Sequence, residues 1–410
     1  MTLLKHARVL TNNPKPGDPY HIFLCCVGLG AGPNDFDTIG SFLEKRFERE
    51  NYIILKSKNH KYLKAHSGID QQGQWFAEEV VELFNTHKEQ INAIPCGAKH
   101  KLSVVGHSAG GLVSRYALGV LFDTNTVYAF AKTFQTQFAP RLELISYMSI
   151  ASPHLGLRRE KNQILKTFWA KNSFFFMRFY GHTGPQLRLT DNKDYKKSLL
   201  NRMSEPTSCY MQALRMFKYR TSVTIIHFDL NISFTSGSIR SYNPYPTPDW
   251  FGSPDYRIRG FSNFDRSYEG HFRRNINYES DADVVVGPPS GKENQIRAGQ
   301  QLDDANLIST NGILSYGCDL QGTEFDRDSV SKKASYIEDP ELEVLKNLQT
   351  VEWRRIDIEF RLPFGVSHAL VHILPIGCTK HVKTGIMDAV RAGTRSVDAI
   401  VTTLELDHAM

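Results

Sequence analysis

Short apolar runs closed by glycine alternate with amphipathic stretches through the first half of the chain. HIFLCCVG (21–28) and KLSVVGH (101–107) are apolar almost throughout, the pattern of strands buried on both faces, and NYIILKS (51–57) is a less uniform run of the same type. Between them, GQWFAEEVVELFNTHKEQI sets Phe76, Val80, Leu83 and Phe84 at i, i+4, i+7 and i+8. That spacing predicts a helix with those four on one face and Glu78, Glu79 and Glu82 turned away. LELISYMSIASPH (142–154) and TSVTIIHFD (221–229) predict further strands, and the period-2 alternation of WRRIDIEFRL (353–362) predicts an edge strand. Strands alternating with helices imply an α/β fold with a mostly parallel central sheet and helices on both faces.

Two segments break this rhythm. Residues 154–215 form a basic, aromatic excursion between two strands, expected to be a cap or lid segment. Residues 240–350 are rich in Gly, Pro, Ser and Asp and read as a loop-rich insertion of unknown role, part of which is expected to form a small subdomain. With no internal repeat and no low-complexity tract, residues 1–410 are expected to form a single domain.

Composition narrows the class. A chain of 410 residues with 41% hydrophobic and 22% charged residues is globular rather than disordered. The N-terminal stretch has no signal-peptide pattern and no apolar run reaches 18 residues, so no bilayer-spanning helix is expected. Six cysteines without CxxC spacing point to reduced thiols in a cytoplasmic protein, with Cys25 and Cys26 in the core, and away from a disulfide framework or zinc ribbon. The net charge of +6 is unevenly spread. Leu157 to Arg202 holds eleven Lys/Arg against three Asp/Glu, a net +8, which leaves −2 for the rest of the chain. The same segment contains Phe168, Trp169, Phe174, Phe175, Phe176, Phe179 and Tyr180, and no recognisable nucleic-acid-binding motif.

The chemistry centres on Gly-His-Ser-Ala-Gly (106–110), which KLSVV enters and the small-residue stretch GLVSRYALGVLF leaves. In a strand–turn–helix of this kind Gly106 and Gly110 remove side chains that would collide, and Ser108 stands exposed. A serine hydroxyl attacks only when a base takes its proton and a carboxylate orients that base. With the order Ser, acid, His along the chain, the base is one of His271, His368, His372, His381 or His408. His368 follows the last strand-like run, beyond Pro363 and Gly365, whereas His372 in ALVHIL reads as a packed core residue. HALVH lacks the Glu of HExxH, so no metal site is expected. Asp229, at the end of a strand, is the candidate acid, with Asp281 and Asp283 as alternatives. The oxyanion donors would be the backbone N–H groups of Ala109 and of a residue in the Gly28–Gly32 loop, Leu29 being the candidate. VGLGAGP has Pro33 where a dinucleotide loop has its third glycine, and no cofactor is expected.

These stretches, in order VGLGAGPNDF, SGIDQQGQWFAEEV, LSVVGHSAGGLVSRYALG, SIASPHLG, TGPQLRLTD, the segment from ALRMFKYR to RSYNPY and finally FGVSHALV, resemble the lipase-like serine esterase family of α/β-hydrolases. The resemblance covers roughly residues 20 to 245 and then the His region. It implies the α/β-hydrolase fold and a triad of Ser108, Asp229 and His368, the positions reached from chemistry. Two departures stand out: the family commonly has His-Gly where this chain has Val27-Gly28, and Val-Pro where it has Ile232-Ser233. The resemblance implies hydrolysis of a lipid ester, an acylglycerol or phospholipid, through an acyl-enzyme. The basic, aromatic 157–202 segment would then contact an anionic membrane or lipid-droplet surface. Two alternatives remain open: a silent α/β-hydrolase scaffold that binds a lipid or protein partner, and a thioesterase or protein deacylase using the same triad.

Overall fold

The alternation of side chains along the second strand shows how the sheet is buried. Tyr20, Ile22, Leu24 and Cys26 join one apolar cluster, Phe23 and Cys25 another on the opposite face, and all are buried. The computed structural model describes residues 8–11, 17–58, 62–157, 181–227, 229, 232–245, 256–268, 308–310, 313–316, 339–360 and 384–410. Its strands are β1 (Arg8–Thr11), β2 (Tyr20–Cys26), β3 (Asn51–Lys56), β4 (His100–His107) and β5 (Leu142–Ile150). They continue with β6 (Tyr219–Ile225), β7 (Tyr256–Asp265), β8 (Ile308–Thr310), β9 (Ile313–Tyr316) and β10 (Arg354–Phe360). All pair in one sheet in the order β1-β3-β2-β4-β5-β6-β10-β7-β9-β8. From β3 to β10 along that order every pairing is parallel, and β1, β7, β9 and β8 add antiparallel margins.

The helices are α1 (Asp37–Arg46), α2 (Ile69–Thr86), α3 (Lys88–Asn92), α4 (Ala109–Phe122), α5 (Ala129–Gln137) and α6 (Thr183–Leu187). After them come α7 (Leu199–Ser204), α8 (Cys209–Met216), α9 (Phe234–Ser238), α10 (Asp339–Leu348) and α11 (Thr384–Ala409). Apolar side chains of α2, α4, α5, α7, α8 and α10 close over one face of the sheet, and those of α1 and α11 over the other. Part of the expected cap, residues 199–214, thus packs into the main core; residues 158–180 lie outside the described residues.

Three expectations change. WRRIDIEFRL is not an edge strand: β10 lies between β6 and β7. Its polar residues are buried in ion pairs on both faces, Arg354 with Asp407 on one and Asp357 with Arg240 and Glu359 with Arg259 on the other. The 240–350 insertion supplies β7, β8, β9 and α10, so it extends the sheet. Glu79 is fully buried, with the segment after β3 against it at Lys58, so the covered face of α2 is wider than the four-residue stripe.

The two ends of α2 and α6 explain another pair of motifs. The first amides of a helix lack partners within it. Here Gly68 N–H donates to Thr183 Oγ1 (3.0 Å) and Ile69 N–H to Gln186 Oε1 (2.5 Å). TGPQLRLTD therefore caps the helix begun by SGIDQQGQW, and Leu157 N–H is held by Leu187 O (2.7 Å).

Candidate active site

β4 ends at His107 and α4 begins at Ala109, so Ser108 alone makes the turn between them. It does so at φ 54°, ψ −132°, a conformation that L-residues rarely adopt and that costs about 1–3 kcal/mol when held. Backbone bonds hold it: Ser108 N–H donates to Ile150 O (2.8 Å), and Gly111 N–H donates to Ser108 O (3.1 Å). Two glycines make room. A Cβ on Gly110 would stand 2.5 Å from the Val27 carbonyl oxygen, and one on Gly28 would stand 2.9 Å from Ser108 Cβ and 3.4 Å from its Oγ. The loop after β2 therefore runs directly against the serine, which stays half-buried among buried neighbours.

The candidate donors lie in that loop and at the helix start. Gly28 O accepts from Ala31 N–H (3.3 Å), closing a turn over Leu29 and Gly30. Ala109 N–H is the first amide of α4, and the Ser108 side chain does not cap the helix. Val27 packs its side chain into the core and donates its N–H to Ser57 Oγ (3.4 Å). An apolar residue thus stands where a family histidine would, and the loop is braced there through its backbone.

Asp229 follows β6 by four residues and is buried; its Oδ1 accepts from Ile232 N–H (2.9 Å), a local turn of the kind aspartates favour. Ser233, in place of the family's proline, caps α9 by accepting from Ser236 N–H (3.3 Å). His368 lies outside the described residues, as do His271, His372, His381, Asp281 and Asp283. β10 ends eight residues before His368, and its parallel pairing with β6 puts its last residues at the same end of the sheet as β6's exit toward Asp229. His408 is excluded as the base. It sits in α11 against Ser103 and His21, at the entry to β2 and away from Ser108.

One further histidine was not singled out by the sequence. His154 of SIASPHLG is fully buried, with Nε2 2.8 Å from Ser149 Oγ, and burial, with the positive charge of Arg115, holds it well below the ordinary imidazole range. Among the described residues no cluster of three or more His, Cys, Asp or Glu side chains is arranged to hold a metal ion.

A parallel sheet flanked by helices on both faces, with a serine on a strained strand-to-helix turn facing a glycine loop, defines an α/β-hydrolase. The family model described as "Putative serine esterase (DUF676)" matches residues 16–239, and the chain belongs to that family. Two Saccharomyces cerevisiae proteins are similar to parts of it. "Putative lipase ROG1" is 26% identical over 178 residues, and "Putative lipase YDL109C" is 31% identical over 121 residues. These alignments span 43% and 30% of this chain but only 22% and 16% of the relatives' lengths. Among solved structures, the Bacillus licheniformis lipase BlEst2 in its propeptide form superposes on 60% of this chain and 48% of its own. The TM-score is 0.34 and the identity 11%.

Proposed function

We propose that the protein is a serine hydrolase that cleaves the carboxylic ester of a lipid, an acylglycerol or phospholipid. The observation that carries this reading is Ser108 on its strained turn against Gly28. Ser108 Oγ attacks the ester carbonyl carbon while His368 takes its proton, and Asp229 orients His368. The N–H groups of Leu29 and Ala109 receive the oxyanion. His368 then passes the proton to the departing alcohol, leaving an acyl-Ser108. Water, deprotonated by His368, attacks that acyl group; the carboxylic acid leaves and Ser108 regains its proton.

A lipid substrate is supported by the description of the yeast relatives as lipases and by the basic, aromatic composition of residues 157–202. That composition also suits contact with an anionic membrane or lipid-droplet surface. Six cysteines without CxxC spacing suit a cytoplasmic setting. One observation favours a second reading, a silent scaffold: Val27 stands where a brace for the oxyanion loop is common in the family.

Fluorophosphonate labelling separates the two readings without a guess at the substrate. Wild type is expected to label, Ser108→Ala not at all, and His368→Ala at least a hundredfold more slowly. A folded wild type that stays unlabelled, with and without detergent micelles, supports the silent scaffold instead. Sedimentation with phosphatidylserine vesicles at low salt tests the surface contact, which absence of binding would exclude.

A further inference from the structure

No step of the proposed hydrolysis uses the SPHLG turn, residues 152–156, yet that turn touches both halves of the site. On one side it supports the nucleophile. Ser152 packs under the start of α4, so close that a Cβ on Gly111 would stand 2.7 Å from Ser152 Cβ. Gly111 N–H in turn holds the Ser108 carbonyl. Ala151 precedes the turn at φ 45°, pinned by its N–H to Val223 O of β6 (2.8 Å).

On the other side the turn meets the segment that bears the candidate acid, through the Ser236 hydroxyl. Ser236 Oγ accepts from Leu155 N–H (3.0 Å) and donates to Gly156 O (2.9 Å), and Ser236 is buried. A short run of bonds then leads back from Ser236 to Asp229. Ser236 N–H donates to Ser233 Oγ (3.3 Å), Gly237 N–H to Ser233 O (3.0 Å), and Ile232 N–H to Asp229 Oδ1 (2.9 Å). α9 is also tied to β6, where Ser222 Oγ donates to Gly237 O (2.5 Å). Ser236 Oγ thus bridges α9 to the turn beneath the serine by both its donor and its acceptor capacity.

We infer that Ser236 is a positioning residue: its hydroxyl sets the Asp229 loop relative to the Ser108 elbow, so that acid and nucleophile keep one geometry. This rests on the proposed roles of Ser108, Asp229 and His368. Without the hydroxyl, Leu155 N–H and Gly156 O lose their bridge, and α9 can shift against the turn. A displacement of about 1 Å at a catalytic group costs on the order of a hundredfold in rate. An acid that drifts from the base also stops raising the base's pKa.

The test is steady-state hydrolysis of a chromogenic ester across pH by wild type, Ser236→Ala, Ser236→Thr and Ser238→Ala. Ser236→Ala is expected to lose about ten- to a hundredfold in kcat with KM within about twofold. The acid limb of kcat/KM should move to lower pH, and Ser236→Thr, which keeps the hydroxyl, should recover most of the rate. Ser238 lies in the same helix, buried, with its Oγ without a hydrogen-bond partner among the described residues; its alanine variant should match wild type. If Ser236→Ala does not fold, Ser236→Cys, with the same shape, a somewhat larger atom and a weaker donor and acceptor, serves in its place. Ser236→Ala, or Ser236→Cys in its place, with wild-type kcat and pH profile, or with a loss no larger than its unfolded fraction, overturns the positioning role while leaving the hydrolase reading intact. A folded wild type inert toward both ester and fluorophosphonate overturns the hydrolase reading, and this inference with it.

Discussion

At the scale of a single residue, the site stores strain at Ser108. Its φ of 54° is unfavourable for any side chain with a Cβ, whereas glycine adopts positive φ freely. Ser108→Gly and Ser108→Ala should both abolish labelling but differ in stability. Alanine keeps the strain of about 1–3 kcal/mol, and glycine sheds it while losing about 0.5–1 kcal/mol in chain entropy. The glycine variant is therefore expected to be more stable by about 1 kcal/mol in urea unfolding; a less stable glycine variant would mean the turn is not strained. This part of the site was legible in the sequence because the elbow's requirements are local: a glycine at each point of close approach and a serine between them. Glu79 was not legible. Its burial depends on where the segment after β3 runs past α2 at Lys58, a fact of tertiary packing that helical spacing does not carry.

At the scale of elements, the parallel strands were readable because burial on both faces leaves an unbroken apolar run. β10 was misread because its polar residues look solvated. They are instead satisfied by partners distant in sequence, which no local pattern encodes. Arg354 is the clearest case. Its Nη2 reaches both Asp407 carboxylate oxygens (2.9 and 2.6 Å) and Thr221 Oγ1 (2.9 Å), while Nη1 reaches Tyr268 OH (3.0 Å). The pair is buried and ties α11 to the middle of the sheet. Asp407→Ala leaves the guanidinium buried without its counter-charge, so chemical denaturation should show a loss of about 3–5 kcal/mol. A loss below about 1 kcal/mol would mean that α11 is held chiefly by its apolar face. β7 escaped notice for a different reason: RGFSN interrupts it with residues of low strand propensity, and its place in the sheet is set by pairing with β10.

Across the whole molecule, each face of the sheet buries ionisable groups in their neutral form, and together they shape stability against pH. On the α2 side, burial pushes Glu79 up from 4.5 to about 8, partly offset by the Lys58 N–H and the charges of Lys58 and Lys64. On the α11 side, burial and the Lys101 charge bring His21 down from 6.5 to about 4, and burial holds His408 well below its ordinary value. The bonds of this pair agree with two neutral rings. His21 Nε2 faces the Glu50 carboxylate (2.5 Å) and so carries the proton, which leaves Nδ1 to accept from His408 Nδ1–H (2.8 Å). His408 Nε2 then accepts from Ser103 Oγ (2.7 Å). Above pH 6.5 the folded state keeps the Glu79 proton that the unfolded chain has lost. Through Glu79, stability should therefore fall by about 1.4 kcal/mol per pH unit up to about pH 8, where the Glu79 contribution levels. Below pH 6.5 the unfolded chain protonates His21 and His408, and also His100 and His154, which burial likewise lowers, while the fold resists all four. Glu79 offsets one of those protons, so the acid limb should still be the steeper. Urea unfolding from pH 4.5 to 9 should give an asymmetric maximum near pH 6.5. Glu79→Gln should flatten the alkaline limb, and His21→Gln should reduce the acid slope by one proton. If Glu79→Gln left the fall between pH 6.5 and 8 unchanged, the carboxyl would have to be ionised in the folded protein, and the α2 face would hold a buried charge rather than a neutral acid.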